Sequence, residues 1–392
     1  MNPPRRVARF IGSDRYRGHR YSANHPLAIP RVSLTTDLIH AYDAMSADEY
    51  LPSPQASVEQ LQQFHTADYV AALQRCESEG QVPAEFRQRY RLGTLENPFF
   101  SNMFSTPATA TGGSIAAAEQ VIAGRMAFSP AGGMHHARAD QARGFCFFND
   151  PVLAILRLRR QGWRVIYLDI DAHHGDGVEL AFADDPQVLT VSLHMDTDYA
   201  YPFAGGRIED SGPLGNALNL PLPRDVHDAE YDAVFSALWP KVLQHFAADA
   251  VVLQAGTDIL RPDPLGKFRI STQQFLRVVE QIITHSPRGE NNVPRLAVLG
   301  GGGYHPLALA RCWTGVWGLL SGRDLPLALP VQAQQLLRAV DWDQDEDEDY
   351  FPQLFQSRID PPQTGPIRDE VRDRLAQLLR EHPLFQTVEA VS

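Results

Sequence analysis

The stretch Arg164-Val-Ile-Tyr-Leu-Asp-Ile-Asp-Ala-His-His-Gly-Asp-Gly177 decides the fold. It opens on an apolar, β-branched run over 165–168, short enough to be a strand buried on both faces. Asp169, Asp171, His173, His174 and Asp176 follow at once. Charged groups at the end of a core strand must be paired or hold a metal, because burying them bare is costly. While the backbone stays extended, Asp169, Asp171 and His173 share one side and Ile170 and Ala172 the other. Carboxylate and imidazole two apart on one face suit a divalent metal. The plainer alternative is a solvated acidic loop.

Working outward, other short apolar runs end in the same way. A strand over 126–129 runs into Pro-Ala-Gly-Gly-Met-His135-His136, and one over 188–193 carries Ser192 and ends at His194. Residues 250–254 lead to Ala-Gly-Thr-Asp258, and 296–299 to Gly300-Gly-Gly-Gly-Tyr304. A first strand is expected over 7–11. Helical spacing is expected from Leu34 through Tyr42, over 57–73 behind a Ser57-Val-Glu-Gln60 capping box, and over 112–122. Further helices are expected from Asp150-Pro151 to about 161, then over 177–182, 231–246, 272–283 and 367–379. Residues 80–105, with Glu96-Asn97-Pro98, read as a long loop.

Strands alternating with helices predict an α/β fold, a mostly parallel sheet covered on both faces. In such sheets ligands sit beyond the carboxyl ends of the strands, where these reactive residues fall. Singly each is weak: Asp258 suits a helix cap, His135-His136 an ordinary hydrogen-bonding pair, and the glycines a tight turn. Together they point to one convergent site.

The composition, 44% hydrophobic and 21% charged over 392 residues, is that of an ordinary globular protein. A net charge of -12 argues against nucleic acid or an anionic membrane as partner. Cys76, Cys146 and Cys312 are few and scattered, which suits reduced thiols rather than a disulfide framework. The N-terminal residues lack the apolar segment of a signal peptide, and no run reaches the ~18 apolar residues of a membrane span. A cytoplasmic location is therefore expected. The run Asp341-Trp-Asp-Gln-Asp-Glu-Asp-Glu-Asp349 reads as a solvated surface loop, or as a patch steering basic substrates.

Gly132-Gly-Met-His-His136, Gly144-Phe-Cys-Phe-Phe-Asn-Asp150, Asp169-Ile-Asp-Ala-His-His-Gly-Asp176, Val191-Ser-Leu-His194, Gly256-Thr-Asp258 with Asp263-Pro-Leu265, and Gly300-Gly-Gly-Gly-Tyr304 stand in this order. Together they resemble the zinc-dependent histone deacetylase family, most of all its bacterial acetoin-utilisation branch. The resemblance runs from about residue 9 to 325. It implies a single-domain arginase–deacetylase fold with about eight strands, a catalytic domain over 1–325, and an extension over 326–392 packed on the same body. It implies Asp171, His173 and Asp258 as ligands of Zn2+, with Fe2+ suiting the same set. It also implies a structural K+ or Na+ at Asp169, Asp171, His173, Ser192 and Leu193.

By the same resemblance, His136 is the base that takes a proton from the attacking water, and His135 is its electrostatic partner. Asp176 and Asp169 are their carboxylates, and Tyr304 supplies the hydroxyl for the oxyanion. Phe145 and Tyr201 wall a tunnel for the lysine stem, and the Gly144 carbonyl accepts the substrate amide. Glu96 stands where the family usually has Asp to hold the substrate backbone. Leu265 occupies the rim position where polyamine-specific members have an acidic residue, and Arg31 lines an acetate channel. The implied reaction is hydrolysis of acetyl-lysine in an acetylated protein or peptide, acetyl-CoA synthetase among the candidates. A polyamine deacetylase and a non-catalytic acetyl-lysine binder are the alternatives. A two-manganese ureohydrolase would need further bridging carboxylates, where this chain has His135-His136 and Tyr304.

Overall fold

Eight short strands, each parallel to its neighbours, form one sheet: β1 (Ala8–Gly12), β2 (Tyr50–Pro52), β3 (Met126–Ser129), β4 (Val165–Asp169), β5 (Val188–Met195), β6 (Ala217–Leu222), β7 (Ala250–Gln254) and β8 (Leu296–Leu299). The computed structural model describes residues 7–17, 21, 25–342 and 351–386. Of the acidic run, 343–349 lie outside the described residues.

Alternation along the strands sorts side chains into two layers. Ile166 and Leu168 of β4 belong to one apolar layer with Leu34, Tyr231, Phe275 and Leu307, from helices Arg31–Ala41, Asp228–Phe246, Thr272–His285 and Pro306–Ser321. Val165 and Tyr167 face the other way, onto helices Ser105–Ile122 and Asp150–Arg159. Burial on both faces explains why β4 reads as a continuous apolar run.

The strand order is β2-β1-β3-β8-β7-β4-β5-β6. The two last strands in sequence, β7 and β8, are thus inserted between β3 and β4. Ser129, Leu299, Gln254, Asp169 and Ser192 end up side by side in one row across the sheet. The loops just beyond that row carry His135, Tyr304, Asp258 and His173. Topology, rather than nearness in sequence, makes them neighbours.

Several expectations need correction. The helix expected over 57–73 is two helices, Val58–Leu61 and Ala67–Glu79. The Ser57–Gln60 capping box is present. The chain then turns, because His65 and Thr66 bond to another loop: Thr66 N–H donates to the Ala139 carbonyl at 2.9 Å, and His65 Nε2 accepts from Asn149 N–H at 3.0 Å. The loop expected over 80–105 contains the helix Ala84–Tyr90, marked by the Phe86–Tyr90 ring pair one turn apart. Strands β2 and β6 went unrecognised because each contains proline, Pro52 and Pro221. Both lie at the sheet edges, where a missing N–H is tolerated. Helix Pro306–Ser321 also went unrecognised, since burial nearly all round leaves no polar face to give it a period.

The chain beyond 325 is pinned to the body. Arg311 inside the core donates to Asp360 at 2.6 Å, Arg368 to Glu230 at 2.6 Å and Arg374 to Asp196 at 2.8 Å. Val371 and Leu378 of helix Asp369–Glu381 join the same core as the sheet. No helix among the described residues is long and apolar enough to cross a membrane.

Candidate metal centre and active site

Strand β4 ends at Asp169, and the next turn aims Asp171 and His173 toward Asp258 from the loop after β7. His173 Nδ1 lies 2.9 Å from Asp258 Oδ2 and 3.2 Å from Asp171 Oδ1. One donor atom from each of the three lies within 4.8 Å of the others. Backbone and amide groups fix the carboxylates: Gln254 Nε2 and Gly302 N–H donate to Asp171 Oδ2 at 2.7 and 2.6 Å, and Ala172 N–H to Asp258 Oδ1 at 2.8 Å. Burial opposes charge on His173, yet Asp171 and Asp258 raise its pKa to about 10, so the cluster attracts positive charge strongly. Two carboxylate oxygens and one ring nitrogen, open to a cavity on one side, suit a catalytic zinc or Fe(II) site.

His135 and His136 sit beside this cluster with ring centroids 4.0 Å apart. Each is oriented by its own carboxylate. His135 Nδ1–H donates to Asp169 Oδ2 at 2.7 Å, and His136 Nδ1–H to Asp176 Oδ1 at 2.8 Å. Carboxylates only accept, so both protons sit on Nδ1, leaving His136 Nε2 with a lone pair. The two rings divide their charge. Burial disfavours charge on both, but Asp169 and Asp171 hold His135 up at about 9. Burial and the positive His135 push His136 down to about 3. A neutral His136 is the form a base requires.

The cavity above has a volume of about 330 Å³ and is lined by His136, His173, Gly144, Phe145, Tyr201 and Tyr304, with Glu96 and Leu265 toward its mouth. Tyr304 follows four glycines, of which Gly301 (φ 132°) and Gly303 (φ 130°) adopt angles closed to other residues. Its N–H is held by Asp263 Oδ2 at 2.7 Å. Burial, then Asp258 and Asp171, raise its hydroxyl pKa well above normal, so it stays a donor.

Phe145 is placed by a tight turn. Arg143 and Cys146 exchange backbone bonds at 3.0 and 2.8 Å, with Gly144 (φ 54°) and Phe145 (φ 67°) at the tip. Any side chain at 144 would strike the His136 ring. Glu96 was expected to reach for substrate, but its Oε1 is engaged inside the protein. It accepts from the Tyr201 hydroxyl at 2.7 Å and from Gly144 N–H. Leu265 lies at the mouth, 36% exposed.

Arg31 is buried behind the site, donating to the Gly301 carbonyl and lining an inner cavity of about 90 Å³ with Tyr21, Met134 and Phe145. Ser192 is paired in register with Asp169, and its hydroxyl lies 2.8 Å from His194 Nδ1. Leu193, the next residue of β5, is buried.

Sequence reasoning missed several residues of the site. Gln254 holds Asp171, Tyr167 donates to Asp169 Oδ2 at 2.8 Å, and Arg138 donates to Asp176 Oδ2 at 2.6 Å. Arg143 lies 3.4 Å from that oxygen and also donates to the Tyr201 hydroxyl at 3.2 Å. Gln254 had a signal, a polar residue at the carboxyl end of a core strand. The arginines had none, since a surface arginine looks the same in sequence.

A family profile described as "Histone deacetylase domain" matches residues 25–320. The chain is 36% identical to histone deacetylase 8 of Xenopus tropicalis over 306 residues, covering 76% of this chain and 80% of that protein. It is 38% identical to histone deacetylase 9 of Arabidopsis thaliana over 316 residues, covering 79% and 72%. Among solved structures, an HDAC homolog complexed with SAHA superposes with a TM-score of 0.90 at 39% identity, covering 95% of this chain and 100% of that one. An HDAC homolog from Aquifex aeolicus superposes with a TM-score of 0.89 at 38% identity, covering the same shares.

Proposed function

The chain belongs to the histone deacetylase family, and from that premise we infer that it hydrolyses acetyl-lysine side chains of proteins or peptides, releasing acetate and free lysine. The observation that carries this reading is the metal triad, the His136–Asp176 pair and Tyr304 converging on one cavity with a hydrophobic throat.

Asp171, His173 and Asp258 would hold the divalent ion, zinc or Fe(II), which supplies Lewis acidity toward the amide carbonyl and lowers the pKa of water. His136 Nε2 then takes the proton of the attacking water and delivers it to the leaving amine. Asp176 keeps that ring in the required tautomer, and Arg138 and Arg143 keep Asp176 ionised: burial opposes its charge, but His136 and the arginines bring it down to about 2. His135, carrying positive charge against Asp169, favours the negative charge that develops on the carbonyl oxygen as water attacks. Tyr304 donates its hydroxyl to the developing oxyanion. Phe145 and Tyr201 hold the aliphatic stem, and the Gly144 carbonyl is available to the amide N–H. A K+ or Na+ near Asp169, Ser192 and Leu193 and an acetate path past Arg31 complete the proposal.

The polyamine alternative is disfavoured by the cavity mouth. A polyamine carries a second ammonium, whereas Arg224 and Lys267 line this opening and Glu96 is its one carboxylate among the described residues. An acetylated protein, acetyl-CoA synthetase included, is the better substrate.

The test is acetate release by the zinc-loaded protein from an acetyl-lysine peptide and an acetylated polyamine, with Tyr304→Phe and His136→Ala alongside. Peptide turnover that collapses in both variants is expected. Polyamine preference overturns the substrate assignment. No turnover of either, with one metal ion bound per chain, points to a binder instead.

A further inference from the structure

Although the protein is strongly acidic overall, with a net charge of -12, the described residues that line its cavity include two cations, Arg224 and Lys267, and one carboxylate, Glu96. The floor of the cavity is formed by the buried His136 and Tyr304 and the half-buried His173, and its exposed lining residues are Phe203, Arg224, Leu265 and Lys267. Arg224 and Lys267 come from two backbone segments that pair directly: Asp225 N–H donates to the Lys267 carbonyl at 2.8 Å, and Arg269 N–H to the Val226 carbonyl at 2.8 Å. Both cations therefore stand on one rigid ledge.

Among the described residues, neither is neutralised by a carboxylate. Arg224 lies over the Tyr199 ring, 4.5 Å from its centroid, and Lys267 Nζ donates to the Pro264 carbonyl at 2.9 Å. No ion pair among the described residues includes either one. The lining also includes Glu96, whose Oε1 already accepts two hydrogen bonds. Asp225, next to Arg224, is not among the residues lining the cavity.

We propose that Arg224 and Lys267 form a subsite for a carboxylate of the substrate, so that acetyl-lysines with a negative charge close by are preferred. This rests on the deacetylase reading of the site. The carboxylate has two possible sources: an Asp or Glu side chain next to the acetyl-lysine, or the α-carboxylate of an acetyl-lysine at a chain end. Tyr199 and Pro264 restrain the two cations, so little side-chain entropy opposes the contact. Exposed pairs of this kind are individually weak and screened by salt.

The experiment measures kcat/KM of the zinc-loaded full chain on a peptide set of one length. In one arm the residues flanking an internal acetyl-lysine are Glu, Gln or Lys. In the other, a terminal acetyl-lysine carries a free carboxylate or an amide. At low salt the acidic over basic preference should be on the order of tenfold, shrinking as salt is raised. The Arg224→Glu/Lys267→Glu double variant should reverse it while turning over the Gln-flanked peptide as the parent does. The arm that shows the reversal identifies the carboxylate. A preference absent from both arms, or present but unchanged in the double variant, overturns the subsite and leaves the deacetylase assignment standing. Failure of every peptide overturns both.

Discussion

Removing the Glu96 carboxylate should widen the throat of the cavity and be felt mainly in substrate binding. In the structure Glu96 Oε1 joins two walls, accepting from the Tyr201 hydroxyl at 2.7 Å on one side and from Gly144 N–H on the other. The Gly144 wall needs the support. Phe145 is a non-glycine residue at φ 67°, a conformation costing about 1–2 kcal/mol that the closed turn and this bond sustain together. A hydrogen bond to a charged group contributes about 1.5–3 kcal/mol where water is excluded. At this half-open position water can replace part of both bonds. A net loss of about 1–3 kcal/mol in substrate binding follows for Glu96→Ala, or roughly 5- to 150-fold. On the proposed function the walls would grip the lysine stem equally in the ground and transition states, so the loss belongs in KM, with kcat changed by less than about threefold. Steady-state kinetics should cover both a peptide and a minimal acetyl-lysine substrate without flanking residues. Glu96→Gln keeps an acceptor oxygen for both donors and should recover most of the loss. If Glu96→Ala impairs only the peptide, and Glu96→Gln is equally impaired on it, then Glu96 acts on the substrate backbone and the bridging argument is wrong.

Tyr304→Phe should lower kcat by about 10²–10³ while zinc content, measured by elemental analysis, stays at the parent level. Asp258→Asn removes one of the three candidate ligands, so metal content should fall together with activity; full occupancy in this variant would remove Asp258 from the site. Chelation should abolish turnover, and adding back zinc or Fe(II) to the same apoprotein should restore it, the ratio of the two rates identifying the more effective metal. Far from the site, burial opposes charge on Glu49, but the two-pronged Arg323 contact at 2.9 and 2.7 Å and the Ser46 donors outweigh it, bringing Glu49 down to about 2. Its folded pKa is below its unfolded one, so the pair stabilises above about pH 4.5 and loses that effect as pH falls toward 2. The Tm gap between parent and Glu49→Gln should therefore be full at pH 6 and close on acidification. A gap independent of pH would refute this.

Legibility followed burial and periodicity. Strands β3, β4, β5, β7 and β8 were readable because burial on both faces makes them mostly apolar, and the polar residues at and just past their carboxyl ends then stood out. The edge strands β2 and β6 were not, since Pro52, Asn219 and Pro221 break the pattern where the sheet tolerates it. Asp171, His173, Asp258, His135, His136 and Tyr304 could be grouped from position alone, each falling just past a strand end. The inward turn of Glu96 could not be foreseen, because it depends on two donors, the Tyr201 hydroxyl and Gly144 N–H, from loops distant in sequence. The same holds for Arg143 and Arg224: an arginine's partner is set by tertiary geometry that no local spacing encodes.

The strand order also constrains how the protein comes into being. As the chain leaves the ribosome, β3 and β4 are made long before β7 and β8, which must later slot between them. Until residue 299 has emerged, the sheet is in two pieces with unpaired inner edges, each a template for the wrong partner. Asp258 and Tyr304 arrive with those closing strands. Nascent chains stalled before them would thus lack a candidate metal ligand and the proposed oxyanion donor together, while exposing unpaired strand edges. Catalytic competence is in this sense a late event of synthesis, acquired in the step that seals the sheet.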